Sequence, residues 1–273
     1  SEDPPVPDPG AAAASDPGAD PLVRRLDARL HELLPGYPRA RLAVGVSGGA
    51  DSAALLHACA TLARAEPALQ VRAIHVNHGL QPAAVALEAA AQSLARRVGV
   101  PFAVLRLALA PAAGESPEAV AREARYATLA AVLQPGEGFV TAHHLEDQAE
   151  TVLLQLLRGA GLPGLAAMPA RAPLGAGWLL RPLLDHDDPM NADPRYDRAY
   201  LRHEVWPRLL ARWPAAARTL SRSAGHLAEA QEFVDAQASA DVAASARGEA
   251  LDVERLLELT PARRHAALRA WLV

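Results

Sequence analysis

The sequence predicts an α/β fold. A Rossmann-like parallel sheet of five strands carries helices on both faces, and a smaller helical domain follows it. Three observations lead there. Short apolar runs alternate with helix-period segments between residues 41 and 183, the pattern of βαβ units. The first run ends in Ser47-Gly48-Gly49-Ala50-Asp51-Ser52, a small-residue turn that opens directly into a helix pattern. From about residue 195 the strand-like runs cease and only helix-period segments remain.

Taken in order, residues 1–20 are rich in Pro, Ala, Gly and Asp and read as a disordered tail. Leu22, Leu26, Leu30, Leu33 and Leu34 recur at helical spacing until Pro35-Gly36 stops them. Strands are expected at 41–46, 69–76, 101–107 and 138–142, with a weaker fifth at 177–183. Helices are expected between them at 53–65, 83–98, 116–133 and 145–158. Later helices are expected at 195–212, 215–246 and 260–272, interrupted by Pro207 and Pro214. The domains are therefore a tail (1–20), an α/β domain (21–188) and a helical domain (189–273).

Composition bounds the function. Of 273 residues 51% are apolar, enough for a sizeable core. No apolar run is long enough to span a bilayer, and the basic-then-apolar order of a secretory signal is missing, so a soluble cytoplasmic protein with no membrane partner is expected. A single cysteine, Cys59, excludes an internal disulfide and paired-cysteine metal sites, and its place on an apolar helix face reads as core. The net charge is −4, of which the first twenty residues contribute −5, so the body is close to neutral. All 27 basic residues are arginine. Local clusters, not overall charge, must decide whether nucleic acid is a partner.

The loop at 47–52 has a chemical logic. Two glycines after a buried strand expose successive backbone N–H groups, and the following helix adds its free N–H groups and positive dipole end. Together these suit a phosphate, and the Ser47 and Ser52 hydroxyls can donate to it. Asp51 fits a magnesium ion, or the plainer role of helix N-cap. A Walker loop needs a lysine that this stretch lacks, and Gly45, Gly48 and Gly49 have the wrong spacing for a dinucleotide fingerprint. His75, Asn77, His78 and Gly79 end the second strand, where side chains face a ligand or simply line the rim. Arg122 and Arg125 share a helix face and read as a solvated face paired with Glu118 or Glu123. His143, His144, Glu146, Asp147 and Glu150 surround a helix start. They read as capping carboxylates or as a two-histidine, two-carboxylate metal cluster. Residues 171–222 carry a net charge of +3, the most basic stretch, and read as an RNA-backbone contact or as a helix face laced with ion pairs.

Ser-Gly-Gly-x-Asp-Ser after a first strand resembles the PP-loop of the ATP-pyrophosphatase superfamily (adenine nucleotide alpha hydrolase-like fold). Further segments narrow the resemblance: His-Val-Asn-His-Gly-Leu at 75–80, Glu-Ala-Val-Ala-Arg-Glu-Ala-Arg-Tyr at 118–126, and Thr-Ala-His-His-Leu-Glu-Asp-Gln-Ala-Glu-Thr at 141–151. Arg-Pro-Leu-Leu follows at 181–184, and Asn-Ala-Asp-Pro-Arg-Tyr-Asp-Arg-Ala-Tyr-Leu-Arg at 191–202. In this order the set is similar to the tRNA(Ile)-lysidine synthetase family over about residues 40–210. The resemblance implies a carbon–nitrogen ligase that spends ATP, with Mg²⁺, to join L-lysine to C-2 of the wobble cytidine in the CAU anticodon of tRNA(Ile). That step passes through an adenylylated tRNA and switches decoding from methionine to isoleucine. It further suggests a homodimer.

The resemblance also implies roles. Ser47, Gly48, Gly49, Ala50, Asp51 and Ser52 would cradle the phosphates, with Asp51 near Mg²⁺, and His75 and His78 would lie beside the nucleotide. Arg125 would face the activated phosphate. Asp147 would hold or deprotonate the lysine ammonium in a pocket shared with His144 and Glu150, and Arg198 and Arg202 would contact tRNA. Asn77 stands where many members carry aspartate, Ala199 replaces a usual Asn, and the stretch between Leu184 and Asp187 is short for the family. The helical domain is expected to be cut short relative to members with a C-terminal tRNA-recognition region. Two other readings are a noncatalytic ATP sensor and a small-molecule ligase of the same superfamily. Asp147 and Arg125 weigh against the first, and the basic helical region against the second.

Overall fold

The computed structural model describes residues 20–77, 84–107, 117–185 and 201–272. The tail expected at 1–20 lies outside these apart from Asp20. Asp20 caps helix α1 (Pro21–Leu33), accepting the Leu22 N–H at 2.8 Å, with Pro21 at the first helical position. The predicted leucine stripe is the buried face of α1, through Leu26 and Leu30.

The chain forms two compact units that interleave in sequence. The first comprises residues up to Ala142 together with Ala170–Pro182. Its sheet contains β1 (Arg41–Gly45), β2 (Gln70–Asn77), β3 (Phe102–Arg106), β4 (Gly138–Val140), β5 (Arg171–Leu174) and β6 (Gly177–Leu180), in the order β3-β2-β1-β4-β6-β5. The five expected strands pair in parallel. Leu42, Ala43 and Val44 of β1 are all buried, as a central strand covered on both faces requires. Helices α2 (Ala50–Ala65), α3 (Ala84–Val98) and α4 (Pro117–Val132) make the crossovers. Ala43, Ile74, Leu129, Phe139 and Leu179 form one core cluster.

The sheet has a sixth strand that the sequence did not announce. β5 pairs antiparallel with β6 at the edge, and it contains Pro173. A proline removes a ladder donor, which argues against a central strand but is tolerated at an edge. Gly175 closes this hairpin at φ +57°, where a Cβ would stand 2.2 Å from the Ala130 carbonyl oxygen.

The order of the sheet positions the ligand end. The chain moves outward from β1 through β2 to β3, then returns to place β4 on the other side of β1. The carboxyl ends of β1 and β4 therefore flank the switch point, where open α/β sheets leave a crevice.

The second unit comprises His143–Pro169 and the residues from Leu183. It contains α5 (Leu145–Leu157) and α6 (Leu162–Leu165). A π-helical turn at Leu201–Val205 runs into α7 (Trp206–Arg212), and α8 (Ala216–Ser245) and α10 (Pro261–Trp271) follow. Leu145 and Ala149 of α5 pack with Trp206, Ala216 and Ala217. Pro207 sits in the first turn of α7, where the π-helical turn gives way to the α-helix. Between α8 and α10 lie an unexpected two-residue hairpin, β7 (Ala246–Arg247) with β8 (Ala250–Leu251), and α9 (Val253–Glu258). The chain also crosses between the units after Pro182. The crossings after Ala142 and Pro169 were not foreseen. Among the described residues no helix is long and apolar enough to cross a membrane.

Candidate active site

In the first unit, β1 delivers the chain into residues 47–52. Gly48 has φ +96°, and a Cβ there would lie 2.9 Å from Leu87 Cδ2 and 3.2 Å from the Leu87 carbonyl oxygen. Both the backbone region and the packing against α3 demand glycine. The Ser52 hydroxyl donates to the Gly49 carbonyl at 2.9 Å, so its 3.1 Å contact with Ser47 uses the Ser47 proton. The Ser47 N–H donates to Ser52 Oγ and the Gly49 N–H to Ser47 Oγ, at 3.2 and 3.3 Å. The two serines thus hold the turn folded on itself before any ligand arrives. The N-cap of α2 is Gly49, not Asp51, and no side chain caps it. The first-turn N–H groups keep their anion-attracting character. Ala50 is exposed and Asp51 half-buried in that first turn.

His75 does not face outward. It is buried, and its Nδ1–H donates to the Val46 carbonyl at 2.7 Å, one residue before the loop. Asn77 donates to Glu88 of α3 at 2.7 Å, and Arg106 at the end of β3 pairs with the same carboxylate. The Asn77 contact, followed by that of Arg106, lowers the Glu88 pKa against the desolvation that opposes it. An uncharged Asn77 suits this neighbour better than aspartate would. His78 lies outside the described residues.

Arg125 and Arg181 each lie near Arg122 and Tyr126. The Arg122 guanidinium stands 5.2 Å from the Tyr126 ring centre. Arg181 is buried and hydrogen-bonded to Tyr126, a link no sequence pattern displays. Desolvation lowers the pKa of Arg125 and of Arg181, and the charge of Arg122 lowers both further, against the opposing pull of Tyr126.

In the second unit, α5 begins with a capping box. His144 Nδ1 accepts the Glu146 N–H at 3.3 Å, and Asp147 Oδ2 accepts the His144 N–H at 3.1 Å. Because Nδ1 is an acceptor, a neutral His144 carries its proton on Nε2, 3.5 Å from Asp147 Oδ2. Arg202 closes the cluster. Its Nε donates to Glu150 at 2.6 Å, and its Nη2 donates to both Glu150 and Asp147 at 3.0 Å. Glu150 is fully buried. Burial by itself would raise the Asp147 pKa; the neighbouring His144 and His143 rings, the His144 N–H and Arg202 together outweigh it and lower the pKa. Burial would likewise favour neutral Arg202, but Glu150 and then Asp147 outweigh that and hold the guanidinium charged.

Arg202, expected to contact tRNA, meets Asp147 and Glu150, and Glu150, expected in the lysine pocket, meets Arg202. The pairing spans 52 residues, beyond any local pattern, although Asp147 and Glu150 at i, i+3 already mark one acidic helix face. Among the described residues no group of three or more potential ligands is placed to hold a metal, so the two-histidine, two-carboxylate cluster does not form. Asp51 remains compatible with Mg²⁺, which is held by one or two carboxylates and completed by phosphates and water. Arg198, Asn191 and Asp193 lie outside the described residues.

A mostly parallel sheet with a glycine turn and a helix start lacking a side-chain cap at its switch point is the architecture of a nucleotide-binding α/β domain. The chain belongs to the PP-loop domain family, which matches residues 22–187. It is 45% identical over 253 residues to the tRNA(Ile)-lysidine synthase of Alkalilimnicola ehrlichii, covering 86% of this chain and 57% of that protein. With the synthase of the same name from Pseudomonas aeruginosa it shares 43% identity over 282 residues, covering 93% and 63%. The chain thus spans about three fifths of the length of the curated relatives it matches. Among solved structures it resembles the U34-tRNA thiolase NcsA from Methanococcus maripaludis, determined with its 4Fe-4S cluster, at a TM-score of 0.61 and 16% identity. That likeness covers 76% of this chain and 80% of the thiolase, and concerns the fold.

Proposed function

We propose that this chain carries the catalytic part of a tRNA(Ile)-lysidine synthetase, which ligates L-lysine to C-2 of the wobble cytidine in a CAU anticodon at the expense of ATP. The observation that carries the reading is the buried cluster of the second unit. Asp147 and Glu150 place two carboxylates beside the Arg202 guanidinium. Such a desolvated acidic pair also attracts a ligand ammonium, and lysine carries one. The names of the relatives support the same reading.

In the first step the cytidine O-2 attacks the ATP α-phosphorus. The bond to the bridging oxygen breaks, and pyrophosphate departs with the electron pair. Residues 47–52 would hold the departing phosphates through backbone N–H groups and the helix start. Arg125, supported by Arg122 and Arg181, would offset charge at the phosphorus. Mg²⁺ held near Asp51 would supply further charge neutralisation. In the second step the ε-ammonium gives up a proton to water, and the free amine attacks C-2. The C-2–oxygen bond breaks and AMP leaves. A carboxylate held below its usual pKa is a good partner for an ammonium and a weak base, so Asp147 positions lysine rather than deprotonating it. His75 positions the loop through Val46. The reading includes action in the bacterial cytoplasm and a homodimeric assembly.

The test supplies ATP, labelled lysine and tRNA(Ile) bearing CAU, with methionine tRNA as control. Lysine incorporation into the first tRNA alone is expected. Asp147→Asn should lose incorporation while keeping pyrophosphate release. Wild-type protein that binds ATP yet incorporates no lysine into either tRNA would end the proposal.

A further inference from the structure

The second unit exposes a tryptophan where a helix–helix junction would ordinarily hide one. Trp213, the C-cap of α7, is 59% exposed beside a hollow of about 460 Å³. Leu153, Leu209 and Leu220 form its apolar floor and are continuous with the core around Trp206. Arg212 lines the same hollow, its guanidinium 6.0 Å from the Trp213 ring centre. From Val205 to Arg222 the chain carries four arginines, Arg208, Arg212, Arg218 and Arg222, and no carboxylate. Glu204, just before that stretch, reaches Arg208 at 3.9 Å on a largely exposed pair.

These features select an occupant. An apolar floor and an aromatic face ask for a flat, weakly polar group, and the Arg212 guanidinium beside the ring asks for negative charge attached to it. An apolar peptide would gain nothing from the arginines, and an isolated phosphate nothing from the ring. A nucleotide supplies both, its base stacking on the aromatic ring and its phosphate meeting guanidinium groups.

We propose that Trp213 and Arg212 form a stacking site for an unpaired base of the RNA substrate, separate in sequence from every motif assigned to chemistry. The proposal rests on the tRNA reading above and names where one base of that RNA is held. The site is positional: it fixes the RNA without touching the reacting atoms, and it reads any base with an accessible face.

The probe is unmodified tRNA(Ile) with a CAU anticodon, titrated against the full chain while binding is followed at two salt concentrations. Trp213→Ala should bind about ten- to a hundredfold more weakly, and Trp213→Phe, which keeps a flat ring, should recover most of that loss. Arg212→Ala should weaken binding and flatten its salt dependence by about one counterion. Because Trp213 is largely exposed, both of its variants should melt near the wild-type temperature, which separates lost stacking from lost folding. Wild-type binding with Trp213→Ala within twofold would overturn the stacking site and leave the synthetase reading intact. Equal losses in the Ala and Phe variants would also overturn it. A dimer that dissociates in Trp213→Ala while RNA binding holds would give the hollow to a second copy and overturn it too. No RNA binding by the wild-type chain would remove the synthetase reading first, and this proposal with it.

Discussion

Cys59 shows how burial sets chemistry at a single residue. It lies on α2 with no exposed surface, and desolvation pushes its thiol up to about 12. The thiolate is the reactive form, so the native protein should resist a thiol reagent at pH 8. Modification should become rapid and stoichiometric once denaturant unfolds the chain. Fast labelling of the folded protein, followed by absorbance, would contradict this. The core role of Cys59 was legible in its apolar helix face. The role of His75 was not: the sequence places it at a strand end, but only the structure turns its ring inward onto Val46. A period-2 pattern fixes which face of a sheet a side chain leaves from, not which neighbour its ring nitrogen meets.

At the scale of elements, strand and helix positions followed from periodicity, and the misses share one cause. β5 was hidden because four residues with a proline carry almost no alternation, and its pairing depends on the neighbouring β6. Long-range ion pairs were equally hidden. Glu137, at the turn before β4, accepts two hydrogen bonds from Arg72 of β2 at 2.7 Å and one from the Gln134 N–H at 2.9 Å. It is 2% exposed, while the Arg72 side chain keeps 28%. Glu137→Ala would leave a mostly buried guanidinium without its counter-charge, and should cost about 3 kcal/mol of unfolding free energy. A urea midpoint within error of wild type would show that water reaches Arg72 more freely than its burial indicates.

Over the whole molecule, the two units cross the chain three times, so a linear reading misplaces α5 and α6. They belong with the helical unit, where Leu145 and Ala149 complete the cluster around Trp206. Residues 189–273 expressed alone would leave that cluster open on one side. They should therefore bind a hydrophobic dye and melt without a cooperative transition. A sharp calorimetric transition from this fragment would mean that α5 is dispensable to the unit.

The sequence by itself determined the parallel α/β architecture, the glycine turn after β1 and the family. Each of these is written in local period, in residue size or in a motif of contiguous residues. Only the tertiary structure decided that Arg202 lies against Asp147 and Glu150, that Arg181 joins the arginines around Tyr126, and that α5 departs with the helical unit. Those pairings join residues tens of positions apart. Their energy depends on desolvation and on distances of a few ångströms, which exist once the chain is folded and leave no periodic trace along it.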